Sequence, residues 1–237
     1  MEPITLQNIY FSARLDNPNQ IDGVLTFAIQ AVFHYNKTMK LTYRGVFKDP
    51  EQLDKGILPE NAVKFNEPED PAKLSIAAAK FLIPAFLLVG ILMAISSMLY
   101  GGLHLKFTYS GFWLAFILSL LTFLPHEFLH AICFGKKANV DMYVIPKQMM
   151  IFVYSPQPIS KSQFIFLSLL PNLVFGWIPM LVWVALPPSQ FSTSLFYFAA
   201  LCISYGGGDY LNTYNAIRQM PKGSMQQLSG FNSYWFK

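Results

Sequence analysis

Charge is what this sequence has least of. Asp, Glu, Lys and Arg make up 13% of its 237 residues, about half the roughly 25% of an ordinary soluble domain. That is too little to clothe a surface facing water on all sides. Apolar residues reach 53%, so much of the chain is expected to lie in lipid. Cysteine is scarce as well: Cys133 and Cys202 both sit in apolar segments, which excludes a disulfide framework. The net charge is only +4 and no Lys/Arg cluster is interleaved with aromatics, so no nucleic-acid partner is expected. The opening MEPITLQNIYF has no basic run followed by an apolar core, and no cleaved signal peptide is expected. No internal repeat or low-complexity tract occurs.

Acid is almost missing from most of the chain. Ten of the 13 acidic residues precede residue 75; only Glu127, Asp141 and Asp209 lie in the 163 positions that follow. Uncharged stretches cover 81–105, 107–125 (apolar on to 134) and the 47 residues 162–208. A crossing helix needs about 20 mostly apolar residues. The last stretch is too long for one, and LPPSQFSTS at 186–194 divides it. Four spans are therefore expected near 78–101, 109–134, 163–186 and 192–216.

Basic residues orient these spans. Lys136, Lys137, Lys147 and Lys161 lie between the second and third; Arg218, Lys222 and Lys237 follow the fourth. The other two intervening loops hold Lys106 alone and nothing. By the positive-inside rule both termini and the 135–162 loop are cytoplasmic, with a bacterial plasma membrane the expected location.

Outside the spans the pattern changes. TMKLTYRGVF (38–47) alternates as a strand does. Asp22-Gly23 and LDNPNQ (15–20) are turn signals, and VLTFAIQAVF (24–33) is too evenly apolar to assign. Residues 49–74 read as a polar, proline-bearing linker. NVDMYVI (139–145) and MMIFVY (149–154), separated by Pro146, Lys147 and Gln148, read as a hairpin at the membrane surface. The expected class is mainly α: a polytopic membrane protein of about four transmembrane helices. It carries a β-hairpin-like cytoplasmic loop and a small N-terminal α+β or β-rich soluble region. The divisions are 1–74 (soluble region and linker), 75–218 (transmembrane domain) and 219–237 (cytoplasmic tail).

One stretch runs against its surroundings. LTFLPHEFLHAICFG (121–135) sets His126, Glu127 and His130 in apolar sequence. The spacing is H-E-x-x-H. On a helix the two histidines share a face and can reach one metal ion, and the glutamate beside the first can act as general base on a water that the metal activates. Zinc suits imidazole ligands. Two hydrogen-bonded core histidines are the plain alternative. Against it stands the cost of a charge in mid-membrane, on the order of 2.5–3.5 kcal/mol, which makes such groups functional by default. Pro125 is expected to bend the helix beside them.

Such a site needs a third protein ligand. His34 lies in the N-terminal region, His104 at the far end of the first span, and Asp141 in the exposed loop. Asp209 fits best: it follows Gly206, Gly207 and Gly208 and lies, like the histidines, within a couple of turns of the cytoplasmic flank. A helix cap is its alternative role. Asn172, after Pro171 in the third span, could orient a substrate carbonyl or serve helix–helix hydrogen bonding. Asn212 and Asn215 are weaker candidates, and Cys133 reads as packing.

Taken together, HEFLH in a membrane helix, the hairpin after it, Pro-Asn in the next span and a glycine-preceded Asp in the last resemble the site-2 protease-type membrane metalloproteases. The likeness is to their compact relatives, the putative zincin peptidases, over roughly residues 55–218; LPENAVKFNEPED (58–70) resembles that family too. In site-2 proteases the third ligand is an Asp followed by Gly, whereas Tyr210 follows Asp209 here. The resemblance implies Zn2+ as cofactor and a peptide or membrane-protein substrate, with membrane lipid as the other partner. The expected function is a membrane-embedded zinc-dependent endopeptidase acting near the cytoplasmic face: metal ligands His126, His130 and Asp209, catalytic base Glu127, Asn172 orienting substrate. A zinc-binding scaffold without activity and a transporter component are the alternatives.

Overall fold

Where apolar runs are long, helix forms; where β-branched and aromatic residues alternate at their ends, strands form. A computed structural model describes residues 39–103, 105, 107–146 and 150–237. The turn signals at 15–20 and 22–23, the 24–33 run, His34 and His104 lie outside these residues.

The chain enters through β1 (Lys40–Val46), a short 3-10 turn at Pro50–Gln52 and the two-residue β2 (Val63–Lys64). Then α1 (Pro71–Ala79) and α2 (Leu82–Tyr100) follow, and α3 (Tyr109–Leu121) and α4 (Phe123–Cys133) after them. β3 (Asn139–Ile145), β4 (Met150–Tyr154) and β5 (Ile159–Ser160) lead into α5 (Lys161–Asn172), a π-helical turn (Leu173–Trp177) and α6 (Ile178–Ala185). Last come α7 (Gln190–Tyr205), α8 (Gly207–Gln219), β6 (Met225–Ser229) and β7 (Asn232–Phe236).

Among the described residues, three helical segments are long and apolar enough to cross a membrane: Lys73–Tyr100, Tyr109–Cys133 and Lys161–Ala185. They mark a membrane protein and match the first three expected spans. The fourth, expected at 192–216, is divided at Gly206 into α7 and α8, of 16 and 13 residues. Each piece is shorter than the roughly 20 residues that one crossing needs. Ile83, Leu87, Met98, Leu114 and Leu121 are exposed on α2 and α3, as lipid-facing side chains are.

The expected hairpin is present. β3 and β4 pair antiparallel with Met142 opposite Val153, and β1 adds to β3 in parallel, giving the order β1-β3-β4. A second sheet, which no pattern in the sequence had suggested, has the order β2-β7-β6-β5. Its centre is the β6/β7 hairpin. The 49–70 stretch is also held more closely than its polar composition suggests. Leu53 is buried with Tyr143 and Tyr154; Phe65 is buried with Ala131 and Phe164.

Helices approach closely through small residues, as membrane helices do where lipid provides no hydrophobic drive. Ala115, Ala131, Ala199 and Ala216 are all essentially inaccessible. Gly176 is an example against backbone as well as side chain. A Cβ there would lie 2.8 Å from Ile203 Cγ1 and 3.2 Å from Ile203 N on α7. Gly176→Val is therefore expected to lower stability by roughly 1–3 kcal/mol through overpacking. Gly90→Ala on α2, with nothing within 4 Å of the added carbon, should leave it unchanged. Thermal unfolding of the two variants in detergent is the check; equal shifts would remove the close-packing account.

Candidate functional site

Two prolines shape the site. Pro125 has no N–H, and its ring excludes the carbonyl of Leu121, four residues back. The helix breaks there as expected: Thr122 N turns back to Ser119 O at 3.2 Å, and α4 restarts with His126 N donating to Thr122 O at 2.8 Å. One turn apart on α4, His126 and His130 stand on the same face with ring centroids 4.8 Å apart.

Pro171 acts on α5 in the same way, and here the consequence is chemical. It removes the donor that would bond Leu167 O inside the helix. That carbonyl instead takes a hydrogen bond from His130 Nδ1 at 2.9 Å. A carbonyl only accepts, so Nδ1 carries a proton, and the neutral form of this ring has its lone pair on Nε2.

Both histidines present Nε2 to one carboxylate. His126 Nε2 lies 3.2 Å from Asp209 Oδ2, and His130 Nε2 lies 3.3 Å from Asp209 Oδ1. Asp209 is in the first turn of α8, where the helix dipole favours a negative charge. A third group holds it: Asn172 Nδ2 donates to Asp209 Oδ2 at 2.7 Å. Asn172 is 1% exposed, and its Oδ1 has no hydrogen-bond partner among the described residues. That oxygen packs against Gly206; a Cβ at 206 would sit 2.0 Å from it. Glycine is needed there because the amide occupies the side chain's place. Asn172 thus makes a hydrogen bond between helices, one of the two roles its sequence position had offered, the other being to orient a substrate carbonyl.

Glu127 faces another way. Its Oε2 accepts from Val153 N at 3.2 Å, on β4, the edge strand of its sheet. Its carboxylate still belongs to the cluster: one ligand atom from each of His126, Glu127 and His130 lies within 4.8 Å of the others.

The donor set fits a metal ion. His130 Nε2 and His126 Nε2 each face an oxygen of Asp209, at 3.3 and 3.2 Å; protonated rings would donate to that carboxylate, and neutral rings would leave their lone pairs for an ion held between them. Two imidazole nitrogens and a carboxylate are a zinc-type ligand set, and a histidine whose other ring nitrogen bonds a backbone carbonyl is the usual orienting arrangement.

The other candidates are occupied elsewhere. Asp141 pairs with Arg44 at 3.0 Å. Asn215 Nδ2 donates to Glu67 Oε2 at 3.3 Å, and Gln219 Nε2 to Asn66 O at 3.3 Å, tying α8 to the 65–67 stretch. Burial pushes the Glu67 carboxyl above the ordinary carboxylate range. Cys133 packs against the core around Phe164, as expected. Reading side chains missed two groups, the Leu167 carbonyl and the Val153 amide, because both are backbone. Only the first had a signal: a proline four residues on.

Pro171→Ala restores an N–H that competes for Leu167 O. The variant should bind zinc about 10–100-fold more weakly, the usual effect of losing an orienting partner. It should also unfold at the same or a higher temperature, because a helix-interior proline is removed. Chelator competition and a thermal melt read the two effects; unchanged affinity would show that the proline does not act through His130.

Residues 119–225 match the model of a family described as putative zincin peptidase, domain of unknown function 3267. No curated protein and no solved structure matches the chain. The matched stretch runs from the end of α3 to the first residue of β6 and holds His126, Glu127, His130, Asn172 and Asp209. Over these residues the chain is similar to the putative zincin peptidase family, the one its sequence resembles.

Proposed function

We propose that the protein is a zinc metalloprotease of the membrane that hydrolyses peptide bonds within or beside the bilayer, near its cytoplasmic face. The observation that carries this reading is the meeting of His126 and His130 Nε2 with the two oxygens of Asp209, in the part of the chain where acid is rarest. His126, His130 and Asp209 would hold the ion. Zinc bound there supplies Lewis acidity, which acidifies a water and polarises a scissile carbonyl.

The remaining work falls to side chains and backbone. Glu127 takes the proton of the attacking water and passes it to the leaving amine as the C–N bond breaks. Asn172 and the Leu167 carbonyl hold two of the ligands in orientation. The edge of β4 suits an extended peptide, which would pair its backbone with the strand. Val153 N–H is the point of contact: a substrate carbonyl that takes its hydrogen bond leaves the Glu127 carboxylate free to act as base.

The sheet pairings support four crossings. Strands that pair lie on one side of the bilayer. β1 and β3 flank the segment α1–α4, and β5 and β6 flank α5–α8. Each segment then crosses an even number of times, so α7 and α8 together make the return. Lys136, Lys137, Lys161, Arg218 and Lys222 gather on the strand side, which the positive-inside rule makes cytoplasmic, in a bacterial plasma membrane on the same charge logic.

Zinc analysis of purified protein tests the ligands: His126→Ala and Asp209→Ala should lose stoichiometric metal, and metal retained in Asp209→Ala would remove that residue from the site. Glu127→Gln should keep its zinc yet cleave a reconstituted single-span reporter at least about a hundredfold more slowly. Wild-type cleavage by that variant would remove the base, and zinc without cleavage by any form would favour a binding scaffold. Val153→Pro, which deletes one edge N–H, should raise KM with zinc content unchanged; a wild-type KM would exclude strand pairing at that residue.

A further inference from the structure

Away from the metal centre, an open cavity of about 480 Å3 lies where α5 begins. Ser160, Lys161, Ser162 and Ile165 line it from β5 and α5; Lys222 and Ser224 line it from the turn after α8. No acidic side chain is among its lining residues. The acid-rich 60–70 stretch runs by β2, at the opposite edge of the sheet from β5. Lys222 is exposed and has no hydrogen bond or ion pair among the described residues. Lys161 Nζ donates to Ile217 O and Met220 O, which fixes its charge at the cavity wall.

The setting is cationic beyond the cavity. Gln163 Nε2 donates to Cys133 O at 2.7 Å, joining the first turn of α5 to the end of α4. Lys136 and Lys137 follow that end directly, and Arg218 is in the last turn of α8. Two features set the cavity apart from this general field. The exposed Ser162, whose hydroxyl also meets Ser160 Oγ at 3.2 Å, stands beside its lysines, while the buried Ser224 donates to Pro221 O. Ile165, one turn into the apolar segment Lys161–Ala185, gives it a wall on the membrane side.

We infer that this cavity is a binding site for the headgroup phosphate of an anionic phospholipid, with Lys222 as its principal cation. Basic pockets between membrane helices hold such headgroups through charge and hydroxyl hydrogen bonds. The Ile165 wall suits the start of an acyl chain, which free phosphate lacks. The site stands independently of the metal centre and of proteolysis.

The test uses the full chain purified in a non-ionic detergent, with thermal stabilisation as the readout. Dioctanoyl phosphatidylglycerol should stabilise it at concentrations at least fivefold below those needed for dioctanoyl phosphatidylcholine. Lys222→Gln should raise the half-saturating concentration of the anionic lipid about fivefold, the effect of one surface cation. Lys136→Gln, on the same face but outside the cavity, should not. Lys161 is left intact because it holds the end of α8. Equal stabilisation by both lipids would overturn the inference. So would equal losses in the two lysine variants, which would mean diffuse attraction, or saturation by inorganic phosphate at the same concentration, which would mean a free-anion site.

Discussion

A carbonyl released from its own helix is what the site depends on. Pro171 cannot donate to Leu167 O, so that oxygen is open to His130 Nδ1. The bond fixes a proton on His130 Nδ1 and the orientation of the ring, and with it the direction in which Nε2 points. One residue later on the same helix, Asn172 holds Asp209. Helix α5 therefore supplies no candidate ligand and yet orients two of them. An interior proline costs a helix about 3 kcal/mol. In a membrane, where water cannot satisfy a freed carbonyl, such a break persists only where another group takes it over. His130 is that group, and a π-helical turn follows at Leu173–Trp177.

Close approach carries the rest. The amide of Asn172 reaches Asp209 only because residue 206 has no side chain, and the turn at Gly206 is also what separates α7 from α8 and puts Asp209 at a helix start. The division that shortens the fourth hydrophobic stretch and the placement of the carboxylate are one event. A continuous helix through 190–219 would be a better span and would lack the terminus beside Asp209.

Much of this was readable in advance, where the signal was local or chemical. H-E-x-x-H states its own geometry, Pro125 announces its break, and the scarcity of acid after residue 75 leaves Asp209 with few rivals as a partner for the histidines. The β3/β4 hairpin followed from two β-prone runs. What escaped was set by distant pairing. Residues 225–236 carry no strong alternation, and they become strands because β5 and β2 lie beside them. Leu53 and Phe65 are single apolar residues in polar sequence, and only the assembled sheets give them something to pack against. The Val153 amide has no side-chain signature at all. Four hydrophobic stretches were visible by composition, but a hydrophobic count does not reveal that the fourth is divided at Gly206 into two short pieces.

The order of the second sheet has a consequence for synthesis. β6 and β7 are its two middle strands, joining β5 at the head of α5 to β2 in the segment that grips α8. Until residues 225–236 have left the ribosome, β2 and β5 lack their sheet partners, although α4 and α8 already have β4 and the 65–67 stretch to pack against. The β6/β7 hairpin is thus the last part of that sheet to be made, and the sheet closes across the ends of α5 and α8 only when it arrives.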